Sequence, residues 1–397
     1  MIYLDYAAAT PLDPEVSQAM GKVEAVFGNP SASYAAGREA KAVLRQARAE
    51  VAKALGSTPA EIIFTSGGTE ADNLAIFGLA EAVTDSDRDA RISANIVTIA
   101  TEHKAVLEPL RRLSERGYEV RFAPVDRHGL IDLDELRQSI DDGTVLLAIA
   151  LASSEIGTIQ TAAEIARIVT DLRADRLARH ITTPLHWHAD ASAAELLTLN
   201  VARLGIDTLS LNAAKLYGPK GSGALYVRRG TRLAAQILGG GQEFGLRAGT
   251  ENLAGAVGLA AALQKATRLR STETKRRQKL TDELWDGIQQ IYPAAERNSH
   301  ADKRLAGTLS VLLPGLSGET LVDWLDARGV AVATGAACTV NASSAEPSAA
   351  LLALGLTPAQ AQSSLRITLG RPTTRAEIQQ FLRILQTTIA KLGTMKV

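Results

Sequence analysis

Glu61-Ile62-Ile63-Phe64-Thr65-Ser66-Gly67-Gly68-Thr69-Glu70-Ala71 is the stretch on which the fold turns. Its first five residues form a short apolar run of strand length, the next four a small glycine-rich turn, and residues 71–83 continue at helical spacing. The same alternation recurs down the chain. Strand-like runs at 95–100, 144–152, 185–189, 208–211 and 224–227 enclose helical patterns at 102–116 and 162–172. Strands separated by helices predict an α/β fold with a mostly parallel sheet covered on both faces. Residues 85–94 and 173–183 are polar and read as surface insertions. Beyond Glu251 an Ala/Leu/Lys/Arg-rich helical pattern runs to about Ile291 and leads to a smaller α/β part. That part has strands at 308–313 and 366–369 and a terminal helix over 375–392, with Thr374 as its N-cap.

Composition sets the outer limits. With 397 residues, 46% of them hydrophobic and 22% charged, the chain has material for a large buried core and two or three domains. The 43 basic and 43 acidic residues cancel, which argues against nucleic-acid binding through a broad basic surface. The densest basic cluster, Lys275-Arg276-Arg277, is expected to face solvent. No apolar run is long enough to span a membrane and the start carries no signal-like segment, so a cytoplasmic protein is expected. One cysteine, Cys338, excludes an internal disulfide.

Polar residues gather where the strands end. Ser66–Thr69, Glu102-His103-Lys104, Ser153-Ser154-Glu155, Asp190 and the segment from Asn212 to Lys215 each follow a strand. In open α/β sheets ligands bind outside the carboxyl ends of the strands, so five such coincidences define one crevice. Ser66-Gly67-Gly68-Thr69 at a helix N-terminus reads better in isolation as a tight turn with its cap, but in this crevice it suits a phosphate. Lys215 alone would be a snorkelling side chain, but in a dry pocket beside a phosphate it can form a Schiff base. Asp190 could pair with a pyridinium nitrogen and His103 could stack on the ring; the plainer readings are a helix cap and a core histidine. Together these residues meet the needs of pyridoxal phosphate. His186, His188 and Asp190 alternate along one strand at metal-ligand spacing, but no further ligand cluster joins them, so no metal is expected. Cys338 lies among small polar residues without apolar period, so an exposed flexible loop with a thiol free to act as nucleophile is expected. Arg366 at a strand start could hold a carboxylate bidentately, or form a surface ion pair.

From Tyr3-Leu4-Asp5-Tyr6-Ala7-Ala8 to Leu369-Gly370-Arg371 the sequence resembles the cysteine desulfurases of the NifS/IscS-like group, within the class V aminotransferases. The resemblance is carried by Phe27-Gly28-Asn29-Pro30-Ser31, Phe64-Thr65-Ser66-Gly67-Gly68-Thr69-Glu70, Thr101-Glu102-His103-Lys104 and Glu155-Ile156-Gly157-Thr158-Ile159-Gln160. Tyr217-Gly218-Pro219-Lys220-Gly221, Gly239-Gly240-Gly241-Gln242-Glu243 and Glu346-Pro347-Ser348 complete it. It implies the fold type I of pyridoxal-phosphate enzymes, with a seven-stranded-type sheet in a large domain over 15–255 and a small domain from 1–14 and 256–397. It further implies a homodimer acting on L-cysteine and passing sulfur to an acceptor or iron–sulfur scaffold protein, for cluster assembly or tRNA thiolation. Lys215 would hold pyridoxal 5′-phosphate covalently, Asp190 its ring nitrogen, and Gly68, Thr69 and a partner's Thr250 its phosphate. His103 would stack on the ring and move protons, with Ser154 and Asn212 as further contacts. Arg366 and Asn29 would bind the substrate, and Cys338 would take its sulfur as a persulfide.

Seven positions in five places depart from the family pattern. Ser154 stands for Asn, Ala193 for Gln, Asn212-Ala213-Ala214 for Ser-Gly-His, Phe244 for Arg and Tyr34 for His. Each lost hydrogen bond costs about 0.5–3 kcal/mol, so an active but altered enzyme is expected. The alternatives are another class V enzyme, such as a selenocysteine or cystine lyase, and a degenerate sulfur-transfer scaffold.

Overall fold

The computed structural model describes residues 1–84, 94–334 and 347–394. The chain opens with β1 (Ile2–Tyr3), α1 (Pro14–Gly21) and α2 (Ala35–Leu55). The larger part then follows as β2 (Ile62–Thr65), α3 (Gly68–Thr84), β3 (Asn95–Thr98), α4 (Lys104–Glu115), β4 (Glu119–Phe122) and α5 (Leu133–Ser139). Next come β5 (Thr144–Ala148), α6 (Ala162–Ala178), β6 (His186–Asp190), α7 (Val201–Leu204), β7 (Thr208–Asn212) and β8 (Gly223–Val227). These strands form one seven-stranded sheet in the order β2-β8-β7-β6-β5-β3-β4. Its neighbours run parallel except at β8, which is antiparallel to both β7 and β2. The sheet is the mostly parallel one expected. Apolar residues of α1, α2 and α6 bury one face, around Trp187 and Leu209, while α3 and α4 cover the other around Ile96 and Leu146. A sheet covered twice needs strands apolar on both sides. Hence β5 is buried throughout, whereas edge strand β4, with Glu119 and Phe122 exposed, lacks that signal in its sequence.

The 39-residue α8 (Leu253–Ile291) links this core to the next. Ala256–Leu263 of α8 belong to the large core, whereas Leu280, Leu284 and Ile288 belong to a second one. That second core is built on β9 (Glu296–Arg297), β10 (Thr308–Leu312), β12 (Ala333–Thr334) and β13 (Ser364–Thr368), in the order β12-β13-β10-β9. Between and after them lie α9 (Gly318–Asp326), β11 (Val330–Ala331), α10 (Ala349–Ala353), α11 (Pro358–Gln362) and α12 (Arg375–Thr394). Strand β1 pairs in parallel with β11, so the chain's first residues pack on the smaller part. Thr374 caps α12 as expected, its hydroxyl accepting from the Glu377 N–H (3.2 Å).

Two expectations fail. Residues 173–178 are no insertion but the last turns of α6, and Arg176 is buried. Its guanidinium donates to the carbonyls of Thr183 (3.1 Å) and Thr144 (2.9 Å), so a charge that reads as surface ties a helix to its sheet. Nor does Lys275-Arg276-Arg277 face solvent as a whole. Arg277 is buried against Glu195 (2.8 Å) and Glu273 (3.0 Å), and Arg276 donates to the carbonyls of Gly370 (2.7 Å) and Thr373 (2.6 Å). Residues 85–93 lie outside the described segments, as does Cys338.

Candidate active site

The strand ends of the large sheet meet at Gly68. A Cβ there would fall 2.5 Å from Ser192 Oγ and 3.3 Å from Asn212 Cβ, so only glycine lets the loops after β6 and β7 close onto the start of α3. Gly67 turns the chain at φ 155°, and β8 crosses so close that a Cβ on Gly223 would lie 2.6 Å from Gly67 Cα. The first N–H groups of α3 have no carbonyl within the helix, and together with the helix dipole they suit an anion such as phosphate. Glu70 is drawn aside: it accepts from the Ser66 N–H (2.9 Å) and pairs with Arg247 (2.8 Å), which keeps its carboxyl below the usual range despite burial.

Asp190 closes β6 and is buried. Its Oδ1 accepts from the Ser192 N–H (2.7 Å) and the Ser210 hydroxyl (3.0 Å). Burial pushes its pKa up, but the Ser192 N–H and the Lys215 charge outweigh this and hold it below the ordinary value, so Asp190 is ionised. Lys215 ends a short helical turn, Ala213–Lys215, whose start is capped by Asn212 Oδ1 accepting from the Ala214 N–H (3.1 Å). It lines a cavity with Ser154, Ser192 and Ala193, so the two truncated positions, Ser154 and Ala193, border the lysine. His103 caps α4, its Nδ1 accepting from the Ala105 N–H (3.0 Å). That bond leaves the ring proton on Nε2, and burial, reinforced by the Lys215 charge, lowers the pKa and keeps the imidazole neutral.

Arg366 reaches the crevice from the small sheet, where it pairs with Ala333 on one side and Ser310 on the other. One guanidinium nitrogen donates to Asp5 Oδ1 (2.9 Å) and another lies 3.5 Å from the Ser154 carbonyl, while Nε is buried without a partner among the described residues. A buried donor left unspent at a crevice between two cores is suited to a carboxylate entering from solvent. Next to it, burial pushes Glu155 up to about 7, against the Ser348 hydroxyl that donates to it.

The structure thus brings Gly68, His103, Ser154, Asp190, Asn212, Lys215 and Arg366 to one crevice. Thr69 is exposed on the first turn of α3, and Asn29 and Thr250 are exposed without a hydrogen bond to that cluster among the described residues. Asn29 instead accepts from the Ser31 N–H (2.9 Å), shaping the approach to α2. Phe244, at the position of the family's Arg, stacks on Arg48 with 5.0 Å from guanidinium carbon to ring centroid. Sequence reasoning missed the layer below. His188 does not look outward for a metal: its Nε2 lies 3.1 Å from Asp72 Oδ1 and its Nδ1 3.0 Å from Thr208 Oγ1. Glu102 is buried with Oε1 accepting from the Ala150 N–H (2.7 Å) and Oε2 without a partner among the described residues, and burial pushes its carboxyl well up. An Asp one turn into an apolar helix and a Glu beside a His were the available signals; neither has spacing of its own.

Residues 2–381 match the family model described as aminotransferase class-V. A curated relative named cysteine desulfurase IscS, from Dictyoglomus turgidum, is 39% identical over 99% of this chain and 96% of its own length. Among solved structures, a NifS-like protein superposes with a TM-score of 0.87 at 33% identity, covering 98% of this chain and 99% of the other. Another, SspA in complex with cysteine, gives 0.77 at 32% identity over 93% and 99% of the two chains. The chain belongs to the class-V aminotransferase family.

Proposed function

We propose that this member of the class-V aminotransferases is a pyridoxal-phosphate-dependent cysteine desulfurase, converting L-cysteine to L-alanine and leaving the sulfur on Cys338. The observation that carries this reading is the convergence on one crevice of an ionised, buried Asp190, Lys215 and an Arg366 with an unspent buried donor. The relatives named cysteine desulfurase, and the similar chain solved with cysteine, support it.

The residues fit the cofactor. The cradle at Gly68, which a Cβ would fill, would hold its phosphate with Thr69, joined by Thr250 of a second copy. Asp190 would meet the ring nitrogen, Lys215 the aldehyde carbon, and His103 the ring, with Ser154 and the amide of Asn212 as further polar contacts. When bound, pyridoxal phosphate supplies the electron sink that acidifies the substrate Cα–H.

The chain's own groups do the rest. Arg366 holds the substrate carboxylate and so fixes which bond at Cα is broken. Lys215 takes the Cα proton, and neutral His103 carries a mobile proton on Nε2. In net balance, L-cysteine and the Cys338 thiol give L-alanine and a Cys338 persulfide. The substrate Cβ–Sγ bond breaks, an S–S bond forms, and the thiol proton passes to Cβ. The described residues flanking Cys338 sit beside Arg366: Thr334 pairs with Leu365, and Ser348 bonds Glu155. Exposed Phe27 (90%) and Leu238 (83%) suit burial by a second copy of the chain. The persulfide would pass to an acceptor or iron–sulfur scaffold protein in the cytoplasm. Among the described residues no helix is long and apolar enough to cross a membrane.

The test is an absorbance spectrum of the purified protein, before and after L-cysteine. A visible-edge band that shifts on addition, with alanine formed and Cys338 persulfidated, is expected. Cys338→Ser should keep the band and lose alanine formation. Undiminished alanine and sulfur release from that variant would instead mark a lyase.

A further inference from the structure

Under Asp190 lies a second polar layer. The register of β6 against β7 sets His188 beside Thr208 and Asp190 beside Ser210. Both β6 side chains leave the same face of the sheet, where Asp72, on the second turn of α3, meets them. The contacts form two links side by side: Thr208 Oγ1 to His188 Nδ1 (3.0 Å) and His188 Nε2 to Asp72 Oδ1 (3.1 Å), and the Ser210 hydroxyl to Asp190 Oδ1 (3.0 Å). Asp72 thus lies on the face from which Asp190 projects, close enough for the Asp190 charge to bear on it. Asp72 and His188 are each 1% exposed. Nothing in the reaction as derived above uses either of them.

We infer that Asp72, paired with His188, is a positioning residue for the cofactor. Through its charge on the same face as Asp190 it sets how strongly Asp190 holds the ring nitrogen, and this inference rests on the cofactor reading above.

The physical argument is electrostatic. When Asp72 ionises, a negative charge is added beside Asp190 in a site closed to solvent, which makes Asp190 a stronger partner for a cationic ring. The groups facing Asp72 are His188 and Asp190 from β6, Ser210 from β7 and Glu102 from the segment after β3. Asp190 is held ionised, with the Ser192 N–H and Lys215 on its side, and burial pushes the Glu102 carboxyl well up. Asp72 is the intermediate case, pushed up to about 6 by burial and by Asp190. The layer therefore changes charge near pH 6, without contact with solvent.

The experiment is a pH titration of the visible band in the pyridoxal-phosphate-loaded wild type and in Asp72→Asn, a substitution of nearly equal shape. Ionised Asp72 favours the cationic form of the bound chromophore, so removing it should lower the band's titration midpoint by about half a pH unit or more, the size of one nearby charge at an effective dielectric near 20. The wild type alone should show a second, smaller spectral inflection near pH 6 that Asp72→Asn lacks. An Asp72→Asn protein that folds, holds the cofactor and titrates at the wild-type midpoint overturns the inference and leaves the cofactor reading standing. Should that variant not fold, the wild-type titration decides: a band without the second inflection overturns the inference equally. A wild type that takes up no chromophore overturns the cofactor reading, and this inference with it.

Discussion

Arg48 grips Glu243 with both ends of its guanidinium, at 2.6 and 2.7 Å, in an ion pair almost wholly removed from solvent. Glu243 also accepts from the Phe64 N–H (2.9 Å), so α2, strand β2 and the segment after β8 are tied at one point. The rings of Phe64 and Phe244 lie 4.9 and 5.0 Å from the guanidinium carbon. Glu243 and Phe244 both adopt left-handed backbone, φ 47° and 59°, a conformation that only strong anchoring holds in non-glycine residues. The departure Phe244 from the family's Arg thus gives a cation–π contact to the charge beneath it.

Removing one partner of such a pair leaves a buried charge alone. Glu243→Ala should lower the unfolding free energy by about 3–5 kcal/mol, read by urea denaturation. Arg48→Met combined with Glu243→Leu should be much milder than either single change, since no charge is then stranded. Equal losses for single and double variants would show that the pair acts through packing alone.

Substrate anchoring should depend on guanidinium shape. Arg366 already spends one nitrogen on Asp5, so the fork, rather than the charge, is what remains for substrate. Arg366→Lys is expected to raise KM for L-cysteine on the order of a hundredfold while changing kcat less. Steady-state alanine production measures both, and an unchanged KM would place the carboxylate elsewhere.

Asp190→Asn removes a fully buried carboxyl of the crevice that is held ionised. The band from Lys215 and the cofactor should persist, because the lysine is intact, while alanine formation falls roughly 10²–10³-fold. Loss of the band itself would mean that Asp190 is needed for cofactor retention instead.

Stability should carry the mark of Glu155. Its folded carboxyl is pushed up to about 7 from an ordinary 4.5, chiefly by burial. A raised carboxyl binds its proton more tightly when folded. The folded state is therefore favoured at low pH, and that advantage drains away as pH rises from about 4.5 through 7. Glu155→Gln cannot ionise, so relative to wild type it should gain roughly 1–3 kcal/mol between pH 5 and pH 8. Urea midpoints for the two proteins that stay parallel across this range would refute the assignment.

What the sequence disclosed and what it hid follow from the same physics. Doubly buried strands such as β5 announce themselves as apolar runs, and the residues at their ends had to be polar for some reason, which exposed the crevice. Edge strand β4 has no such run, and Arg176 and Arg277 wear surface chemistry while serving buried carbonyls and carboxylates. The layer of Asp72, His188 and Glu102 stayed hidden because its meaning is pairwise. Asp72 and His188 are 116 positions apart, and nothing in either neighbourhood names the other.

Helix α8 gives the molecule a caliper. At 39 residues it is about 58 Å long, and its two ends are set in different cores, one carrying Lys215 and Asp190, the other Arg366. On the proposed roles of these residues, the gap between a substrate's carboxylate and its reacting carbon is spanned by one helix. An amino acid would then be sized from both sides at once, and whatever bends the helix between its two seats would detune recognition and chemistry together while each core stays folded.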